Sequence, residues 1–105
     1  MIRKLMLSLI VCMTLLVACS KSSTSPTFTP DCSGAVKSFS RDVLPVFQSA
    51  CVGCHSQFSS YSNISADKSA IRSRIVDGSM PQSGSLSTAQ KNNIVCWIDN
   101  GALNN

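Results

Sequence analysis

Six cysteines in a chain of 105 residues constrain this protein more than any other feature of its sequence. A chain this short rarely buries enough apolar surface to hold a fold unaided. Small natural domains add disulfides, metals or bound groups as staples. The cysteines stand at Cys12, Cys19, Cys32, Cys51, Cys54 and Cys96, and their surroundings assign them to different uses.

Cys12 lies in an apolar run from Leu5 to Ala18 that follows the positive start Met1-Ile2-Arg3-Lys4. A basic start and a short apolar run read as a secretory signal, and the run is shorter than the ~20 residues a membrane-spanning helix needs. It closes in Leu16-Val17-Ala18-Cys19, which resembles the lipobox of bacterial lipoproteins. That resemblance implies cleavage after Ala18 and a lipid on Cys19; an ordinary signal peptide or an uncleaved anchor is the alternative. Ser20 follows Cys19 and no aspartate is present there to suggest inner-membrane retention, so an outer-membrane lipoprotein facing the periplasm is expected. The segments are then 1–18 as signal, 19–31 as lipidated start and linker, and 32–105 as one folded domain. Ser20 to Pro30 is rich in Ser, Thr and Pro and reads as a polar spacer.

Cys51 and Cys54 lie in Cys51-Val52-Gly53-Cys54-His55. A C-x-x-C-H run reads as a c-type haem attachment site. Two thiols at this spacing match the two vinyl groups of haem, and the next residue is placed to bind the iron. His55 is the only histidine in the chain, so a second imidazole ligand from the same chain is excluded. The methionines are Met1, Met6, Met13 and Met80, and the first three leave with the signal. Met80, in Gly78-Ser79-Met80-Pro81, is therefore the candidate sixth ligand, with filling of the core as its plainer role. Pro81 disfavours a helical backbone at Met80. A thioether opposite an imidazole raises the reduction potential of haem. Cys32 and Cys96 remain, and in an exported protein they most simply form a disulfide. Two unrelated buried thiols, a four-cysteine zinc site with Cys51 and Cys54, and a Cys51–Cys54 redox pair use the same atoms and stay open.

Three helices can be placed and no strand. Val43, Leu44, Phe47 and Ala50 line one face of a helix from about Ser40 to Ala50, with Pro45 in its first turn. A second helix is expected from about Ala66 to Asp77, capped by Ser65, with Ile71, Ile75 and Val76 apolar and Gly78 at its end. In the third, Ser87 and Gln90 have capping-box spacing. Ile94, Val95, Trp97 and Ile98 supply its buried side, and Gly101 its C-terminal cap. The fold class is all-α.

Taken in order, these motifs resemble the class I cytochrome c family. The likeness is to small bacterial domains with Val-x-Pro before the haem motif and Leu-Ser…Gln…Trp-Ile-x-x-Gly-Ala at the end. The matching residues are Val43-Leu44-Pro45, Cys51 to His55, Met80-Pro81, Leu86-Ser87, Gln90, and Trp97-Ile98-Asp99-Asn100-Gly101-Ala102, covering about Phe39 to Ala102. The resemblance implies a compact domain of three to four helices around one covalently bound haem. It makes Cys51 and Cys54 the thioether anchors and His55 and Met80 the axial ligands. It also implies that the first and last helices cross, with Phe47 and Trp97 near the crossing or against haem. The interval of 25 positions from His55 to Met80 is short for the family, which implies reduced loops over the haem and a more exposed edge.

Without residues 1–18 the chain keeps seven of its nine basic residues and all five acidic ones, a formal charge of +2 that two haem propionates would cancel. Nothing in that balance points to nucleic acid. The chain contains no glutamate and its aspartates are scattered, so no carboxylate pair suggests hydrolytic chemistry. The expected function is a membrane-tethered single-electron carrier, not an enzyme, with redox proteins as partners. The alternatives are a haem sensor or peroxidase-like module with a labile sixth ligand, assisted by Arg72 or Arg74, and a structural lipoprotein with disulfides or zinc and no haem.

Overall fold

The computed structural model describes residues 27–105; the expected signal, Cys12 and Cys19 lie outside them. All regular structure among the described residues is helical. The four α-helices are α1 (Leu44–Ala50), α2 (Tyr61–Ala66), α3 (Lys68–Val76) and α4 (Thr88–Asp99). No helix among the described residues is long and apolar enough to cross a membrane.

The first helical stretch is composite. Ser38 caps its start, accepting from the Arg41 N–H at 3.4 Å, and Phe39–Val43 then form a π-helical turn in which the Leu44 N–H donates to Phe39 O. The wide turn leads into α1 with Pro45 at the second position of the α-helical part, where a missing N–H costs little. Pro45 thus lies in the first turn of the α-helical part, as expected, with the π-helical turn before it.

The second expected helix is α3, and a separate short helix, α2, precedes it. Ser65 does not cap α3, whose N-cap position is Asp67 without a side-chain cap hydrogen bond; Ser60 caps α2, its Oγ accepting from the Asn63 N–H at 3.5 Å. Ser65 is interior to α2, and the chain breaks at Asp67 before α3 begins at Lys68. Gly78 follows the C-cap of α3 with φ +78°, a left-handed conformation that glycine adopts without penalty. In α4 the expected capping box is complete: Gln90 N–H donates to Ser87 Oγ at 3.1 Å and Ser87 N–H to Gln90 Oε1 at 2.9 Å.

The core sits where the π turn crosses α4. Phe39 and Trp97 rings lie 5.4 Å apart and Tyr61 stands edge-on to Phe39 at 5.2 Å. Val43, Ile94 and Val95 fill the same layer and are fully buried. The C-terminal residues close over this crossing. Trp97 Nε1 donates to Leu103 O at 2.8 Å, Tyr61 Oη to Ala102 O at 2.9 Å, and the Phe39 N–H to Asn105 Oδ1 at 2.8 Å.

Two further ties hold the ends of the domain. Cys32 and Cys96 are joined by a disulfide spanning 64 positions, which fastens the segment before the first helix to α4. Phe28, within the stretch expected as a spacer, packs against the core; its N–H donates to Val76 O at 2.9 Å and Lys91 Nζ lies 5.3 Å from its ring centre.

On the surface, Arg72 of α3 grips Asp99 of α4 with two hydrogen bonds, 2.6 and 2.9 Å. The guanidinium hydrogen bonds hold the Asp99 carboxyl below its ordinary value, against a smaller opposing effect of burial. A depressed folded-state pKa gives stability that is present above the unfolded value of ~3.9 and is lost as pH falls through the folded one. Both side chains are more than a third exposed, so solvent screening limits the pair to under about 1 kcal/mol. R72Q is therefore expected to lower the urea midpoint slightly at pH 7. The difference should fade as pH falls through the lowered Asp99 value and shrink in about 1 M salt; a difference unchanged by acid would show that packing, not charge, carries it.

Candidate haem-binding site

The residues from Cys51 to Phe58 turn the chain at the end of α1. Cys51 and Val52 N–H groups both donate to Phe47 O (2.9 and 3.0 Å), ending the helix. Cys54 and His55 N–H groups then both donate to Cys51 O (3.2 and 2.9 Å), which folds the four residues Cys51–Cys54 into a closed loop. The Phe58 N–H donates to His55 O at 2.9 Å and opens a 3₁₀ turn, Ser56–Ser59. This backbone brings Cys51, Cys54 and His55 to one side of the protein.

Opposite them stands the loop after α3. Its Met80 N–H reaches back six residues to Arg74 O at 3.1 Å, which satisfies an end carbonyl of the helix and ties the loop down. Asp77 Oδ1 accepts from the Ser79 N–H at 2.8 Å and braces the same turn. The Met80–Pro81 peptide bond is cis.

Between these two segments lies a cavity of about 510 Å³. Its wall includes all four residues singled out for haem: Cys51, Cys54, His55 and Met80. Phe47 and Phe58 add an aromatic side, and Ile71 and Ile75 of α3 an aliphatic one. Leu86, from the family-like Leu-Ser pair, completes the apolar lining. A volume of 300–1,000 Å³ with mostly apolar walls and a few convergent polar groups is typical of a cofactor pocket.

The donor set fits haem c. The two thiols stand at the vinyl-matching spacing, one imidazole and one thioether are the available axial donors, and the rest of the wall suits an apolar macrocycle. Cys51 is half-buried and desolvation pushes its thiol pKa up, whereas Cys54 is exposed. A raised thiol pKa is the opposite of what activates a redox cysteine, which weakens the thiol–disulfide alternative. The zinc alternative fails on its ligands: Cys32 and Cys96 are bonded to each other, and among the described residues no group of three or more histidines, cysteines or acids is clustered.

The two aromatic residues named from the sequence divide their duties. Phe47 is buried and lines the cavity, while Trp97 stays at the helix crossing and does not. Of the two arginines, Arg72 is engaged by Asp99 and Arg74 lines the cavity.

Phe58 was not singled out by sequence reasoning. Its ring lies 5.3 Å from the His55 ring at an interplanar angle of 34°, and 5.8 Å from Phe47, edge-on. The available signal was a lone aromatic in the polar run Ser56-Gln57-Phe58-Ser59-Ser60, three residues after the histidine. Phe58 therefore packs against both the imidazole and Phe47.

No family model, curated protein or solved structure matches this chain.

Proposed function

We propose that the protein is a monohaem c-type cytochrome of the class I kind that carries single electrons for redox partners and is held to a bacterial membrane by a lipid on Cys19. One observation carries this reading. Cys51, Cys54, His55 and Met80 come from segments 25 positions apart, yet all four face one mostly apolar cavity of cofactor size.

Haem c, when bound, supplies reversible one-electron exchange at iron. Cys51 and Cys54 would anchor it through thioether bonds, which would prevent its loss outside the cytoplasm. His55 and Met80 would hold the iron. Phe58 limits rotation of the His55 ring, and the tie between Met80 N–H and Arg74 O limits how far the thioether can retreat. An imidazole and a thioether both held to the iron would leave it no open site for substrate, which favours a carrier over an enzyme. The rim of the cavity carries exposed residues, Cys54, Gln82 and Ser83 among them, so a partner can approach the cofactor edge closely.

The test is expression of residues 20–105 in a periplasm with haem-maturation machinery. A denaturing haem stain and oxidised and reduced absorption spectra are the readouts. Covalent haem with a weak methionine–iron charge-transfer band, lost in M80A, is the expected result. Covalent haem that lacks the band, or rapid tight binding of carbon monoxide to the ferrous protein, would move the assignment to a sensor or peroxidase-like module. Absence of covalent haem would reject the proposal. The anchor is tested separately in the full chain, where C19A is expected to move the protein from the membrane fraction to the soluble one.

A further inference from the structure

The cavity wall is apolar except at one place. Among the described residues that line it, Arg74 is the only one with a permanent charge. Gln82 and Ser83 are the uncharged hydrogen-bonding side chains in the same wall. Arg74 forms no ion pair among the described residues, in contrast to Arg72 and Arg41, which pair with Asp99 and Asp42. Asp77, at the end of the same helix, feels the Arg74 charge but gives its carboxylate to Ser79. A guanidinium is strongly suited to a carboxylate, because its planar fork offers two parallel donors.

We propose that Arg74 is the residue that receives a haem propionate, so that the carboxylate edge of the macrocycle lies at the C-terminal end of α3. This rests on the haem reading above and deepens it: it fixes which way the bound group is turned. The thioether side is set by Cys51 and Cys54 after α1, and the carboxylate side by Arg74 of α3. The backbone of Arg74 has a second role, since its carbonyl accepts the Met80 N–H. One residue therefore holds the carboxylate with its side chain and the distal-ligand loop with its main chain, which couples propionate charge to the surroundings of the iron.

An arginine beside a carboxylate favours the ionised form and lowers its pKa. The propionate paired with Arg74 is thus held in its ionised form more strongly than it would be without the guanidinium. Loss of the guanidinium raises its pKa, so that it takes up a proton at higher pH. The reduced haem carries one more negative charge and holds the proton more tightly, so the midpoint potential should then rise as pH falls. The remaining titratable groups of the wall do not contribute: Cys51 and Cys54 are consumed as thioethers and His55 as an iron ligand.

The experiment is spectroelectrochemical titration of the matured holoprotein, wild type beside R74Q, R74K and R72Q, from pH 5 to 8. R74Q is expected to attach haem normally and to show a steeper dependence of potential on pH than wild type, since only the propionate beside Arg74 is affected. R74K should largely restore the wild-type profile, and R72Q should keep it. Resonance Raman spectra should show the propionate bending mode shifted in R74Q alone. If R74Q carries covalent haem with an unchanged pH profile and an unchanged propionate mode, the assignment of Arg74 is overturned while the haem reading stands. If the wild type acquires no covalent haem, both are overturned.

Discussion

Removing the disulfide in the double variant C32S/C96A is expected to lower the unfolding free energy of the haem-free protein by about 3–4 kcal/mol. The bridge closes a loop of 64 positions. Chain entropy alone assigns such a loop roughly 4 kcal/mol, and engineered cases tend to return somewhat less. That is a large share of the roughly 5–15 kcal/mol that holds a typical domain together. Alanine is the choice in place of Cys96 because that side chain is almost fully buried, and a serine hydroxyl there would add an unrelated desolvation cost. On the haem reading the expectation changes in a defined direction. A haem fixed at Cys51 and Cys54 would still recruit chain ligands to its iron after unfolding and so restrict part of the bridged loop in the unfolded chain as well. The same double variant should therefore lose less stability as holoprotein than as apoprotein. Urea unfolding of the two forms, each with and without the bridge, gives the comparison. Equal losses in the two forms would show that haem and disulfide act independently on the chain.

How far the sequence was legible followed the range of the interactions involved. The start of α4 was readable because a capping box is a contract between residues three apart, Ser87 and Gln90. The four residues that meet at the cavity stood out by residue type: one histidine, one methionine beyond the expected signal and a thiol pair leave few other candidates. The short helix α2 was not readable. Only Ile64 of its six residues is buried, too little for an apolar period, and its cap Ser60 lies in a run of serines that each could serve. The break at Asp67 is likewise a packing decision. Contacts of long range left no local mark at all, as with Asn105 on Phe39 or Phe28 on Val76. Arg72 and Arg74 could not be told apart from sequence. Two positions on a helix are separated by about 200° of rotation, so one meets Asp99 and the other the cavity, and which is which depends on how α3 sits against α4.

The other large effect is expected at Trp97. W97A should cost about 3–5 kcal/mol, the usual range for removing a buried large aromatic side chain. The ring is 1 % exposed and packs against Phe39 and, edge-on, Tyr61. Its indole N–H also holds the Leu103 carbonyl, and through it the C-terminal turn that delivers Asn105 to the first helical turn. W97F separates these contributions: it keeps most of the ring packing and loses the hydrogen bond, so it should cost about 1–2 kcal/mol. Trp97 does not line the cavity, whereas Phe47, equally buried, does. The two positions should therefore part company in spectra. W97F is expected to unfold more easily with the haem absorption and midpoint potential of wild type. F47L, which opens the wall beside Cys51, should disturb both the spectrum and the potential at a similar or smaller cost in stability. A midpoint potential shifted as much by W97F as by F47L would mean that the helix crossing and the cavity are one mechanical unit. An unshifted W97F would mean that this chain separates them, with Trp97 carrying the fold and Phe47 joining the fold to the site.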